Sequence, residues 1–135
     1  MPRRFHVSSR IDAERHLIVF VMSGEIDTAA MTAAWIEAYS HIAEPWSYGR
    51  LFDYRHADGM VDYDQLARFA GWWGDLTRGV AYSGKVAIVV NNALDAARVK
   101  TARDLFPNDT RVPFTTLDGA LEWLGAANAA EARAS

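Results

Sequence analysis

Five side chains able to move a proton or hold a cation fall within twelve positions of one another: Asp53, His56, Asp58, Asp62 and Asp64. Carboxylates in such numbers suit Mg²⁺ or Ca²⁺, and His56 with two of them would suit a transition metal. His56 beside Asp58 or Asp62 would equally make an acid and base pair. Two features count against both chemistries. The spacing matches no EF-hand loop, and Asp62 stands three residues before Gln65, the arrangement that caps the start of a helix. No metal ligand and no catalytic residue is assigned, and no cofactor is expected. The stretch does follow a short strand, and open α/β sheets hold their ligands at the carboxyl ends of strands.

Other reactive residue types are scattered. Ser23-Gly24 and Ser83-Gly84 lack the flanks of a Gly-x-Ser-x-Gly nucleophile turn and read as turn residues. No glycine-rich phosphate loop occurs. Asn91-Asn92 opens a helix after a strand, where backbone N–H groups can hold an anion within reach of Arg98; the plainer reading is that both satisfy turn and cap. His6, His16 and His41 fall on different elements and read as surface residues. With no cysteine there is no disulfide, thiolate zinc site or cysteine nucleophile.

The elements that must position these residues alternate in period. Phe5, Val7, Ser9 and Ile11 lie on one side of a two-residue repeat, marking an edge strand. After a polar turn at Asp12 to Arg15, residues 17 to 22 are apolar on both faces, as in a central strand, and the two should form a hairpin. Met31, Ala34, Trp35, Ala38 and Ile42 then share a helical stripe, with Asp27 as N-cap and Pro45 closing the segment. A short strand, Arg50 to Tyr54, precedes the acidic stretch. Leu66, Phe69, Ala70, Trp73 and Leu76 make a second helical stripe. Lys85 to Val90 is another apolar strand, followed by a helix that Pro107 stops. Arg111 to Phe114 is an edge strand carrying Pro113, and Thr115 and Asp118 flank the start of a last helix with Leu117, Leu121 and Leu124. Trp72 and Trp123 sit about 120° from their helix stripes, so each is either packed on a neighbour or part of an interface.

A chain of 135 residues with half of them apolar makes one domain with a real core, assigned to residues 1–126, with an Ala-rich tail, 127–135, expected to fray. Fourteen Lys and Arg against seventeen Asp and Glu, a net charge of −3, argue against nucleic-acid binding. Apolar runs are too short to cross a bilayer, and Arg3-Arg4 is followed by polar residues rather than a signal-peptide core, so no membrane insertion and a cytoplasmic location are expected.

The order β-β-α-β-α-β-α-β-α resembles the STAS and SpoIIAA-like group, the fold of bacterial anti-sigma-factor antagonists. Three stretches carry the likeness: Val21-Met22-Ser23-Gly24-Glu25, Leu51-Phe52-Asp53-Tyr54-Arg55, and Phe114-Thr115-Thr116-Leu117-Asp118-Gly119-Ala120-Leu121-Glu122-Trp123-Leu124. The resemblance implies an α/β fold: a mixed, mostly parallel five-stranded sheet with an N-terminal hairpin and four helices mainly on one face. It also implies a contact loop at Arg55, His56, Asp58 and Asp62, where the antagonists carry their phosphorylated Ser or Thr. Here Tyr54 to Asp62 contains neither hydroxyl amino acid, so the usual phospho-switch is absent.

The leading expectation is a non-enzymatic regulatory module that binds a protein partner or a small ligand through that loop. The alternative is a carrier of a small apolar ligand or a lipid, in a pocket lined by Trp35, Phe69 and Trp73. An enzyme using His56 with Asp58 or Asp62 ranks last. Because two strands are apolar on both faces, either a crossing helix or a second subunit must cover the second face. A homodimer is favoured, with Trp72 or Trp123 at its contact.

Overall fold

A computed structural model describes the backbone of residues 4–134 and the side chains of residues 4–125. The expected fraying of 127–135 lies outside the residues whose side chains are described. Strands β1 (His6–Asp12) and β2 (Leu17–Glu25) form the antiparallel hairpin, with Asp12 accepting the Arg15 N–H at 3.1 Å inside the turn. The chain continues through α1 (Thr28–Ser40), β3 (Gly49–Asp58), α2 (Tyr63–Leu76), β4 (Gly84–Val89), α3 (Ala93–Ala102), β5 (Asp109–Phe114) and α4 (Leu117–Ala134). Strand order follows sequence order, β1-β2-β3-β4-β5, and every pair after the hairpin is parallel. The architecture is thus α/β with a mixed five-stranded sheet and four helices.

Three right-handed crossovers stepping the same way across a sheet must leave their helices on one face. That face carries the larger core: Ile18, Phe20 and Met22 of β2, Phe52 of β3 and Val86 and Ile88 of β4, under Met31 and Trp35 of α1, Phe69 and Trp73 of α2 and Ala102 of α3. Helix α4 follows the last strand and closes no crossover, so it can turn the other way. It packs Ala120 and Leu124 on Leu17, Val19, Leu51, Ala87 and Val89. The second apolar face is therefore covered from within the chain, and the argument for a second subunit loses its premise.

Each α-helix start has its side-chain cap. Asp27 accepts from Ala30 N–H at 3.1 Å, Asp62 from Gln65 N–H at 2.9 Å and Asn92 from Asp95 N–H at 2.9 Å. For α4 the cap is Thr116, which accepts from Gly119 N–H at 3.1 Å, rather than the flanking Thr115. The buried stripe of α1 is Thr28, Met31, Thr32, Trp35 and Tyr39, turned from the expected one because Tyr39 reaches Phe20 and the alanines contribute little area. The helix ends at Ser40, before Ile42. Ile11 and Leu76, expected on the inward stripes, are exposed.

Candidate functional site

Strand β3 runs four residues beyond the expected Tyr54, because β2 extends to Glu25 and offers it backbone partners. Ser23 faces His56, Gly24 faces Ala57 and Glu25 faces Asp58, after a register shift between Val21 and Ser23. Gly24, just past this irregularity, has a left-handed φ of 86°. Arg55, His56 and Asp58 are consequently strand residues, not loop residues, and the connection to α2 is only Gly59 to Asp62.

The structure does not gather the four expected residues into one cluster. Arg55 donates to the buried Asp53 carboxylate twice, Nε to Oδ1 at 3.0 Å and Nη2 to Oδ2 at 2.9 Å, on the α4 side of the sheet. Burial pushes the Asp53 carboxyl up, but these Arg55 bonds and the Arg55 N–H outweigh it and hold the group below the usual aspartate range. Asp62 ties two elements together: its carboxylate caps α2, and its backbone N–H donates to Thr28 Oγ1 at 2.8 Å at the start of α1. His56 and Asp58 are exposed at the end of β3. Among the described residues no three His, Asp or Glu side chains are grouped to hold a metal ion. Nor is the Asn91-Asn92 helix start open to an anion as the sequence allowed. Asn92 caps α3, Asn91 donates to the Arg55 carbonyl at 3.1 Å, and Arg98 pairs with Asp95 at 2.9 Å.

The cavity lies elsewhere than expected. Trp35, Phe69 and Trp73 are packed solid, Trp35 edge-on to both Phe52 (4.8 Å between ring centres) and Phe69 (5.1 Å), and none of the three lines it. A cavity of about 280 Å³ instead opens between α2, α3 and the carboxyl half of the sheet. Ile26, Leu66, Ile88, Val90 and Val99 make most of its wall, and Met60, Val61 and Tyr63 border it from the β3–α2 connection. Tyr54 and Arg111 also line it, from β3 and β5. Burial pushes the Tyr54 hydroxyl pKa far up and the Arg111 guanidinium pKa down. Arg111 stacks on the Phe106 ring at 4.3 Å; its Nε is shut off from solvent and has no hydrogen-bond partner.

Next to this cavity lies a buried polar row. Arg50 and Arg111 stand level across β4, both in register with Val86, and Arg50 reaches over Gly84 to the Asp109 carboxylate at 2.5 Å. Arg50 also lies 4.5 Å from the centre of the Trp73 ring, whose Nε1 donates to the Tyr82 hydroxyl at 2.7 Å. Burial raises the Tyr39 hydroxyl pKa to about 12 beside this row, with Arg50 pulling it the other way. Sequence patterns passed over these residues; the available signal was Arg50 and Arg111 in inward positions of strands.

Trp72 and Trp123 are both half-buried against their own chain. Trp72 stacks on Phe69 (5.8 Å) and Tyr39 (6.2 Å), and Trp123 tilts on Phe114 (5.6 Å) under the Lys85 ammonium.

The solved structures similar to this one include the following two. One is an uncharacterized protein of the DUF3478 family with a SpoIIAA-like fold from Shewanella loihica PV-4, at 20% identity and a TM-score of 0.57, covering 92% of this chain and 95% of that one. This chain has the SpoIIAA-like fold. The second similar structure is an anti-sigma factor antagonist from Mycobacterium paratuberculosis, at 18% identity and a TM-score of 0.51, covering 88% and 94%. No protein-family model and no curated protein sequence matches the chain. Within the SpoIIAA-like fold, both the β3–α2 connection and the cavity occupy the carboxyl edge of the sheet, and no described helix is long and apolar enough to cross a membrane.

Proposed function

We propose that the chain is a non-enzymatic, cytoplasmic regulatory module that binds a protein partner through the carboxyl edge of its sheet. The observation that carries this reading is the exposure of Met60 (63%), between Asp58 and Asp62, and of Tyr63 (51%), which follows Asp62 at the start of α2. Large apolar side chains on a short connection, flanked by carboxylates, have the composition of a small contact surface with a polar rim. The similar structure of an anti-sigma factor antagonist supports a partner of the anti-sigma type. With no Ser or Thr from Tyr54 to Tyr63, such contact would be constitutive rather than gated by a hydroxyl phosphate. Arg55 serves the surface indirectly, by fixing the end of β3 through Asp53, and His56 and Asp58 flank it.

The test is capture of an anti-sigma-type partner by the intact protein and by Met60→Asp, a change at an exposed position. The wild type should retain the partner and the variant should release it at least about tenfold more readily, as expected for a contact at the centre of a small interface. Equal retention by both would remove the surface from consideration.

A second reading, a small apolar ligand, is favoured by the cavity, which is walled by Ile26, Leu66, Ile88, Val90 and Val99.

A further inference from the structure

The buried row beneath α2 and α3 is one anion short. Two guanidiniums, Arg50 and Arg111, share the single Asp109 carboxylate, whose Oδ1 pairs with Arg50 while its Oδ2 is buried with no hydrogen-bond partner. Among the described residues Arg111 has no ion-pair partner, and the groups that act on it are the Tyr54 and Tyr39 hydroxyls, Asp109 and Arg50. A buried cation without a counter-charge is costly, and folded chains ordinarily pair it. Arg111 is half-buried, and it faces the 280 Å³ cavity. At the mouth, Asp95 and Arg98 neutralise one another and supply no anion to it.

We propose that this cavity binds a small amphipathic carboxylate, its head on the Arg111 guanidinium beside the Tyr54 hydroxyl and its apolar body against Leu66, Ile88 and Val99. The proposal rests on the ligand reading above and names the ligand's chemistry. A carboxylate fits in three respects. Its planar oxygens match the guanidinium fork. Its single charge equals the single excess positive charge, whereas a phosphate dianion would require a second free cation. The remaining wall offers apolar surface and few polar partners, so the rest of the ligand must be hydrocarbon. A cavity near the lower end of the usual range for small-molecule sites, about 300 Å³, limits the chain to moderate length.

Calorimetric titration of the full chain with octanoate, octanol and octyl phosphate tests this. Octanoate should bind at least about tenfold more tightly than octanol, because only the acid makes a charge-assisted contact. Arg111→Met should abolish that preference, and Arg111→Lys should keep part of it. The Met variant should melt no lower than the wild type without ligand, since it removes a half-buried charge that has no ion-pair partner, which also shows that it folds. Octanoate should raise the melting temperature of the wild type but not of Arg111→Met. Equal binding of octanoate and octanol, tighter binding of octyl phosphate, or an unchanged preference in Arg111→Met overturns the carboxylate assignment while leaving an apolar ligand in place. If none of the three binds, the ligand reading falls with it.

Discussion

Arg50 and Asp109 meet across an intervening strand because residue 84, between them on β4, is glycine. A Cβ on Gly84 would collide with Arg50 Nη2 and with Asp109 Oδ1 at once, so the ion pair occupies the volume a side chain would take. Gly84→Ala should therefore push the pair apart and destabilise the fold by about 1–3 kcal/mol, the usual cost of overpacking a filled site. Chemical denaturation of the two proteins measures it; unchanged stability would mean that the pair can shift without loss.

Removing one member of the pair should cost more than removing both. Asp109→Ala leaves the buried Arg50 and the half-buried Arg111 with no carboxylate between them, and should cost about 3–5 kcal/mol. Arg50→Met combined with Asp109→Leu replaces the pair by apolar volume and should recover most of that loss. A double-mutant cycle in urea reads the coupling directly.

The Asp53–Arg55 pair predicts the acid limb of stability. Because the folded Asp53 pKa is depressed, its contribution is fully present above the ordinary aspartate value of about 3.9 and is lost as pH falls from there through the folded value. Arg55→Met should flatten this limb and cost about 1 kcal/mol at neutral pH, a modest figure because Arg55 is partly open to solvent. Thermal melts at pH 7 and below pH 4 compare the two proteins; parallel profiles would show that Arg55 does not hold the Asp53 charge.

Trp72→Ala and Trp123→Ala separate packing from association. Each ring lies on aromatic neighbours of its own chain, so each variant should lose about 1–3 kcal/mol of stability with no change of mass in light scattering. A fall in mass for either variant would place that tryptophan in an interface.

Incubation with ATP and a Ser/Thr kinase from an anti-sigma system should place no phosphate between Tyr54 and Tyr63, since the segment has no hydroxyl residue of that type. Peptide mass spectrometry checks this, and a phosphorylated segment would restore the switch.

Local chemistry alone was enough for several features. Period changes mark β2, α2 and β4, and the side chains of Asp27, Asp62 and Asn92 can cap only a helix that starts just after them. The element order, with right-handed crossovers, leads to the sheet and to three helices on one face. The end of β3 was not legible, because Arg55, His56 and Asp58 are polar and turn-like; only pairing with β2 makes them strand. Trp35, Phe69 and Trp73 carry the composition of a pocket, yet their rings interlock and the space lies one helix further along.

By itself the sequence determined the alternation of strands and helices, the caps and the lack of Ser and Thr from Tyr54 to Tyr63, since these depend on residues within a few positions. Only the tertiary structure decided that α4 covers the second sheet face, and that Arg50, Gly84, Asp109 and Arg111 form one buried row. Those relations join residues as far apart in the chain as Leu17 and Leu124 or Arg50 and Arg111, and they arise from the pairing of whole strands rather than from any local pattern.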